Sequence, residues 1–308
     1  MKKWACIIVL LAVSPAGNAD YSYDYLASVS AQSADSQGTS ISYRVVNQGS
    51  DNPKLLLIMG LGGGGYAWGD AFVKALESKG LEVIVIDNRD TGDSDSFAAW
   101  GQPTLWWQLL KYKLGLSVDA PYSLAEMAQD SIAVLDAAGY QRVHVAGASM
   151  GGMIAQVMAA RFPERVVSLT SIMSTTFAPH LPPPSANAED NLRNLAGGDA
   201  ETSREQLMRD RGFYPESMER HLMAIFKSGD RTEEVGSITS PTLVIHGSED
   251  PLVPPEHGVH TAEQVEGARF VLIDGMGHNM PEPLHPQIVG LISGHIDAAE
   301  QGGHRLNQ

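Results

Sequence analysis

The stretch "RVHVAGASMGGMIAQVMAARFP" (142–163) decides the fold. Its first six residues, 142–147, form a short apolar run, as in a strand buried on both faces. Residues 151–161 read as a helix that ends before Pro163. Between them lies Gly147-Ala148-Ser149-Met150-Gly151-Gly152, a G-x-S-x-G set between a strand and a helix. Side chains two residues before and after Ser149 would collide with neighbouring backbone in so tight a turn, so glycine stands at both places. The turn presents the Ser149 hydroxyl at a helix N-terminus, where the next backbone N–H and the helix dipole favour developing negative charge.

The same rhythm extends in both directions. "ISYRVV" (41–46) alternates like a half-buried strand, and "KLLLIM" (54–59) and "LEVIVI" (81–86) are apolar runs. Phe72, Val73 and Leu76 give helical spacing between the latter two. Ser123 with Glu126 makes a capping box ahead of the helical pattern that runs to Leu135. "VVSLTS" (166–171), "TLVIHG" (242–247) and "RFVLID" (269–274) complete seven strands, and a final helix covers roughly 284–297. Strands alternating with helices predict a mostly parallel sheet covered on both faces. Ligands in such sheets bind at the carboxyl ends of the strands.

A serine nucleophile needs a base, and the base needs an orienting acid. Asp250 follows strand 242–247 and His278 follows strand 269–274, so Ser149, Asp250 and His278 occupy three strand ends in order. An oxyanion also needs two donors. The glycine-rich loop Met59 to Gly65 follows strand 54–59, where backbone must approach a reacting carbonyl closely. The N–H groups of Leu61 and Met150 are the expected oxyanion hole.

Composition narrows the alternatives. A formal net charge of −15 argues against a nucleic-acid partner, because phosphate contacts need clustered Lys and Arg. One cysteine, Cys6, excludes an internal disulfide and a CxxC metal site. Residues 1–19 show a basic start (Lys2, Lys3), a ten-residue apolar run and small residues at Gly17 and Ala19, as in a signal peptide. Its removal leaves a cysteine-free mature chain, with no integral membrane segment expected and a secreted or periplasmic location. Serine-rich residues 20–40 read as a flexible mature N-terminus and 299–308 as a flexible tail.

On these motifs the chain resembles the α/β-hydrolase superfamily over roughly residues 41–297, and within it the bacterial serine esterases of the aclacinomycin methylesterase type. The resembling segments are "IMGLGG", "IDNRDTGDSD", "GASMGGMIAQ", "SIMSTT", "PTLVIHGSEDPLVP" and "GMGHNMP". The resemblance implies an α/β-hydrolase fold with a core of 41–174 and 239–298 and a small cap, 175–238, inserted after the fold's sixth strand. It implies Ser149 as nucleophile, Asp250 as orienting acid, His278 as base, a small-molecule ester substrate and no cofactor. It gives Asp87, Arg89, Gly92 and Ser94 a supporting role. Many relatives have His-Gly at the oxyanion loop, where this chain has Met59-Gly60.

Other readings compete. Gly60, Gly62 and Gly65 with Asp87 satisfy a dinucleotide fingerprint, but that leaves the strand-end Ser, Asp and His unexplained. A non-catalytic binder would have no need of the base. A peptidase of the proline iminopeptidase type, or an acyltransferase, would keep the triad, with Glu233 and Glu234 as holders of a substrate amine. His257 and His260 stand three apart but read as surface helix residues, and no metal site is expected. The tryptophans of 96–121, Trp100, Trp106 and Trp107, are divided evenly between core packing and substrate contact.

Overall fold

The computed structural model describes residues 22–49, 51–185 and 209–306. The expected signal peptide and residues 186–208 of the expected cap lie outside them.

One eight-stranded sheet carries the molecule. Its strands are β1 (Gln32–Ser36), β2 (Thr39–Val46), β3 (Lys54–Ile58), β4 (Glu82–Ile86), β5 (Val143–Ala148), β6 (Val166–Ile172), β7 (Thr242–Gly247) and β8 (Arg269–Ile273). Their order is β1-β2-β4-β3-β5-β6-β7-β8. The β1–β2 and β2–β4 pairs are antiparallel and the rest parallel. After β3 the chain steps to one side, and after β4 it crosses back to the other. That reversal opens a crevice at the carboxyl ends of β3 and β5.

Helices cover both faces because the central strands are buried on both. α4 (Leu124–Ala138) and α5 (Met150–Arg161) bury Met127, Leu135 and Ile154 on one face. α2 (Asp70–Glu77) and α9 (His285–Leu306) bury Phe72, Leu76 and Ile292 on the other. The Ser123–Glu126 capping box starts α4 as its sequence requires. α1 (Asp24–Ser28) and α3 (Leu105–Lys113) are short, and α8 (Glu256–Gln264) lies between β7 and β8. Between β6 and β7 the described part of the cap supplies α6 (Pro215–Ser228) and α7 (Thr232–Gly236).

Three expectations need correction. Residues 20–40 are not a flexible arm: α1 and β1 lie there. β1 is polar because it is an edge strand with only Ala34 and Ser36 buried. Gln37 and Gly38, both at positive φ, make the tight hairpin turn that joins it to β2. The Asp70 carboxylate anchors α1 by accepting the N–H groups of Tyr25 (2.8 Å) and Leu26 (3.0 Å). The tail expected at 299–308 is helical to Leu306, a continuation of α9. The tryptophans of 96–121 are neither core nor pocket. Trp100, Trp106 and Trp107 are 40%, 65% and 44% exposed, and α3 buries only Gln108 and Leu109.

Candidate active site

Ser149 sits between β5 and α5 with φ 54° and ψ −120°, a backbone state that L-residues rarely adopt. The turn is enforced from both sides. A Cβ on Gly147 would run into the Gly151 carbonyl, and a Cβ on Gly151 into the Ile58 carbonyl. Ser149 N–H donates to the Ile172 carbonyl (2.9 Å), and Ser174 Oγ donates to the Ser149 carbonyl (2.8 Å). The strained residue is thus fixed by β3, β6 and its own helix.

The structure brings Ser149, His278 and Asp250 together. His278 Nε2 lies 2.9 Å from Ser149 Oγ, and His278 Nδ1 lies 2.7 Å from Asp250 Oδ2. The other Asp250 oxygen accepts the N–H groups of Leu252 and Val253, each at 2.9 Å. Asp250 and His278 are buried. Burial works against a charged Asp250, but His278 and the Val253 N–H outweigh it and hold its carboxyl below the usual range. His246 comes to 3.6 Å from Asp250, yet its Nε2 donates to the Val253 carbonyl at 2.8 Å. Burial lowers its pKa, so it packs beside the acid as a neutral ring.

A second Ser–His–acid contact lies elsewhere. His144 touches Ser168 (2.8 Å) and Glu300 (3.1 Å). Ser168 is a buried mid-strand residue with no glycine turn, and none of the three lines the cavity described below. The strained elbow, not the residue types, sets Ser149 apart.

Leu61, Ser149 and Met150 together line a cavity that is open to solvent. Among the described residues neither the Leu61 nor the Met150 backbone N–H has an acceptor, so both are free to receive one. Gly60 abuts the elbow: a Cβ there would lie 3.0 Å from Ser149 Cβ and 3.5 Å from Met150 N. The cavity walls are largely apolar, with Tyr112, Met153, Phe177, Leu181, Leu222 and Ile225 among them. Tyr112 is the lone contribution of residues 96–121, whereas the "LPPP" run and α6 supply much of the wall.

The supporting residues are all engaged. Asp87 accepts the Gly65 N–H at 2.7 Å and faces Arg44 at 3.3 Å. That occupies the carboxylate which the dinucleotide reading would need for a ribose. Arg89 grips Asp130 with two 2.6 Å bonds, and Ser94 Oγ donates to the Asp87 carbonyl at 2.7 Å. A Cβ on Gly92 would strike Asp87.

His257 and His260 are half-buried rather than surface residues. His257 lines the cavity and bonds to Thr175 Oγ1 (2.7 Å) and the Pro182 carbonyl (2.8 Å); His260 bonds to Thr176 (3.0 Å). Glu234 pairs with Arg161, and neither Glu233 nor Glu234 lines the cavity. Sequence reading missed His221 on α6. It contacts the glycine-rich loop from 159 residues away, and no local pattern signals such a contact.

The chain is similar to known proteins along most of its length. A family model described as alpha/beta hydrolase fold matches residues 53–211, and one described as TAP-like protein matches 226–289. The chain is 31% identical to the rhodomycin D methylesterase DauP of Streptomyces sp. (strain C5), covering 80% of this chain and 91% of that one. It is 28% identical to the putative carbamate hydrolase RutD of Pseudomonas savastanoi pv. phaseolicola (strain 1448A / Race 6), covering 77% and 92%. The solved structure of the enol-lactonase from Burkholderia xenovorans LB400 superposes with a TM-score of 0.64 at 19% identity, covering 86% and 100%.

Proposed function

The chain belongs to the α/β-hydrolase fold family and is a hydrolase, and on that premise we propose that it is a serine carboxylesterase working through an acyl-enzyme. The observation that carries this reading is the His278 ring, bonded at once to Ser149 Oγ and to Asp250. Ser149 Oγ attacks the ester carbonyl carbon while His278 Nε2 takes its proton. Asp250 holds the Nδ1–H tautomer and stabilises the imidazolium. The N–H groups of Leu61 and Met150 receive the oxyanion. His278 then protonates the leaving alcohol, and water, activated by the same ring, releases the acid and frees Ser149.

The substrate reading follows from the walls. An apolar cavity lined by Ser149 suits an ester with an apolar acyl or alcohol group, and DauP is named as a methylesterase. The peptidase alternative loses support, because the glutamates suggested for the amine do not line the cavity. Residues 1–19 act as an export signal and place the enzyme outside the cytoplasm. Their basic start, apolar run and small residues at Gly17 and Ala19 support this.

A fluorophosphonate tests the central claim. It should label Ser149 in the wild-type chain and fail on Ser149→Ala, which should also lose turnover of nitrophenyl esters. Retained turnover in Ser149→Ala would refute the assignment. A series of nitrophenyl esters of rising chain length then measures how much apolar group the cavity accepts.

A further inference from the structure

The glycine-rich loop has one bond of its own, Gly63 N–H to the Gly60 carbonyl (2.9 Å), and the segment after β4 holds its two ends: Asn88 Nδ2 donates to the Met59 carbonyl (2.8 Å) and Asp87 accepts the Gly65 N–H (2.7 Å). Residues 62–65 are four glycines, and Met59 carries no hydrogen-bonding side-chain group. The loop's middle takes three more bonds, from the chain entering and forming α6. Gly64 N–H donates to the Gly212 carbonyl (3.0 Å), and Tyr214 N–H donates to the Gly62 carbonyl (2.7 Å). Gly62 N–H donates to His221 Nδ1 (3.0 Å). The last is the one side-chain contact of the three, and its ring is fixed at the other end. His221 Nε2 donates to the Arg89 carbonyl at 3.0 Å, so Nδ1 is left as the acceptor. Next to it, Arg220 is paired with Asp90, both buried, and Tyr122 also donates to Asp90 (2.9 Å). The next residues on the helix, Leu222 and Ile225, line the cavity.

We infer that His221 is a positioning residue for the oxyanion hole: by accepting the Gly62 N–H it sets the backbone orientation of Leu61. The inference rests on the esterase reading above and assigns part of its rate to the cap. A peptide plane turns about one soft torsion on each side, and the plane that carries the Gly62 N–H runs into four glycines, whose torsions are broad. Fixing the Gly62 N–H narrows the place that the Leu61 N–H can occupy. His221 is fully buried, and burial lowers its pKa to about 4, so the ring stays neutral and keeps its acceptor at neutral pH. Because α6 also lines the cavity, an occupant pressing on Leu222 or Ile225 acts on the helix that holds the hole.

Two amide variants separate the two ring nitrogens. In His221→Asn, the Oδ1 branches where Nδ1 does and keeps an acceptor for Gly62. In His221→Gln, the amide reaches the Arg89 carbonyl but leaves the Gly62 N–H without its acceptor. Using a short nitrophenyl ester, we expect Gln to lower kcat by roughly 10- to 100-fold with KM changed by less than about threefold. We expect Asn to stay within about threefold of the wild type. A Gln variant that folds and keeps wild-type kcat overturns the inference, and so does an Asn variant as slow as Gln. Should Gln fail to fold, the ¹⁵N-labelled wild type still decides. A nitrogen–nitrogen coupling across the Gly62–His221 hydrogen bond is expected, and its absence overturns the inference. Fluorophosphonate labelling of the wild type keeps the two claims apart: no label at Ser149 removes the esterase reading itself, whereas label with an unaffected Gln variant removes only the role of His221.

Discussion

Asp250→Asn is the most informative single change in the site. The two Asp250 oxygens have different partners: Oδ1 accepts two backbone N–H groups and Oδ2 faces His278 Nδ1. An asparagine has one carbonyl oxygen to offer. Leu252 and Val253 N–H both demand an acceptor at 2.9 Å, so the amide oxygen takes the Oδ1 place. Its NH₂ then faces His278 Nδ1 and makes that nitrogen an acceptor. The ring must carry its proton on Nε2, where it can no longer take the Ser149 proton. His246 cannot restore the acid, because its Nε2 already donates to the Val253 carbonyl. The equivalent tautomer switch in another serine hydrolase costs about 10⁴ in kcat, which is roughly 5 kcal/mol of transition-state stabilisation. We therefore expect kcat to fall about 10⁴-fold with KM changed little. Single-turnover and steady-state kinetics on a nitrophenyl ester measure it, with a thermal melt as the control for folding. A folded variant that loses less than about tenfold would show that Asp250 does not set the His278 tautomer.

Three further outcomes follow from the same structure. His221 has an unfolded pKa near 6.5 and a folded pKa lowered to about 4, so its neutral form belongs to the folded state. Its contribution is present above about pH 6.5 and is lost as pH falls towards 4, reaching about 3 kcal/mol. Urea denaturation at pH 7 and pH 4.5 should show this loss, with a smaller loss in His221→Asn; equal slopes in both would contradict it. Arg220→Met strands the buried Asp90 carboxylate and should destabilise by about 3–5 kcal/mol, while Arg220→Met with Asp90→Asn recovers a good part of that. A double mutant as unstable as the single would show that the pair is not the cause. N-terminal sequencing of exported protein should begin near Asp20, and an intact Met1 would refute the export signal.

What could be read from the sequence divides along physical lines. Strands β3 to β7 are apolar because each lies between neighbours and under helices, and apolar runs mark such strands; β8, the other edge, was readable from its apolar run although only Ile273 in it is buried. The elbow is readable because its sterics demand glycine at fixed offsets from Ser149. The meeting of Asp250 and His278 with Ser149 is readable because both follow strands, and the carboxyl ends of strands converge in this architecture. β1 was missed because an edge strand needs no apolar run; Gln37-Gly38 before Thr39 was its one local signal. The tryptophans misled, since aromatic content predicts burial and here Trp106 is 65% exposed. His221 was out of reach for another reason. Its partner Gly62 lies in a different part of the chain, and nothing near either residue specifies the other.

The backbone of Ser149 ties the enzyme's chemistry to its durability in opposing senses. At φ 54° a serine is strained by about 1–3 kcal/mol, and glycine at the same place would be relaxed. The fold would therefore gain stability by losing the proposed nucleophile. A library of variants sorted for heat resistance alone would be drawn towards Ser149→Gly, a sturdier protein that does nothing. Only a sorting scheme that also demands turnover would keep residue 149 a serine, and any gain in robustness compatible with activity must then be found elsewhere in the chain.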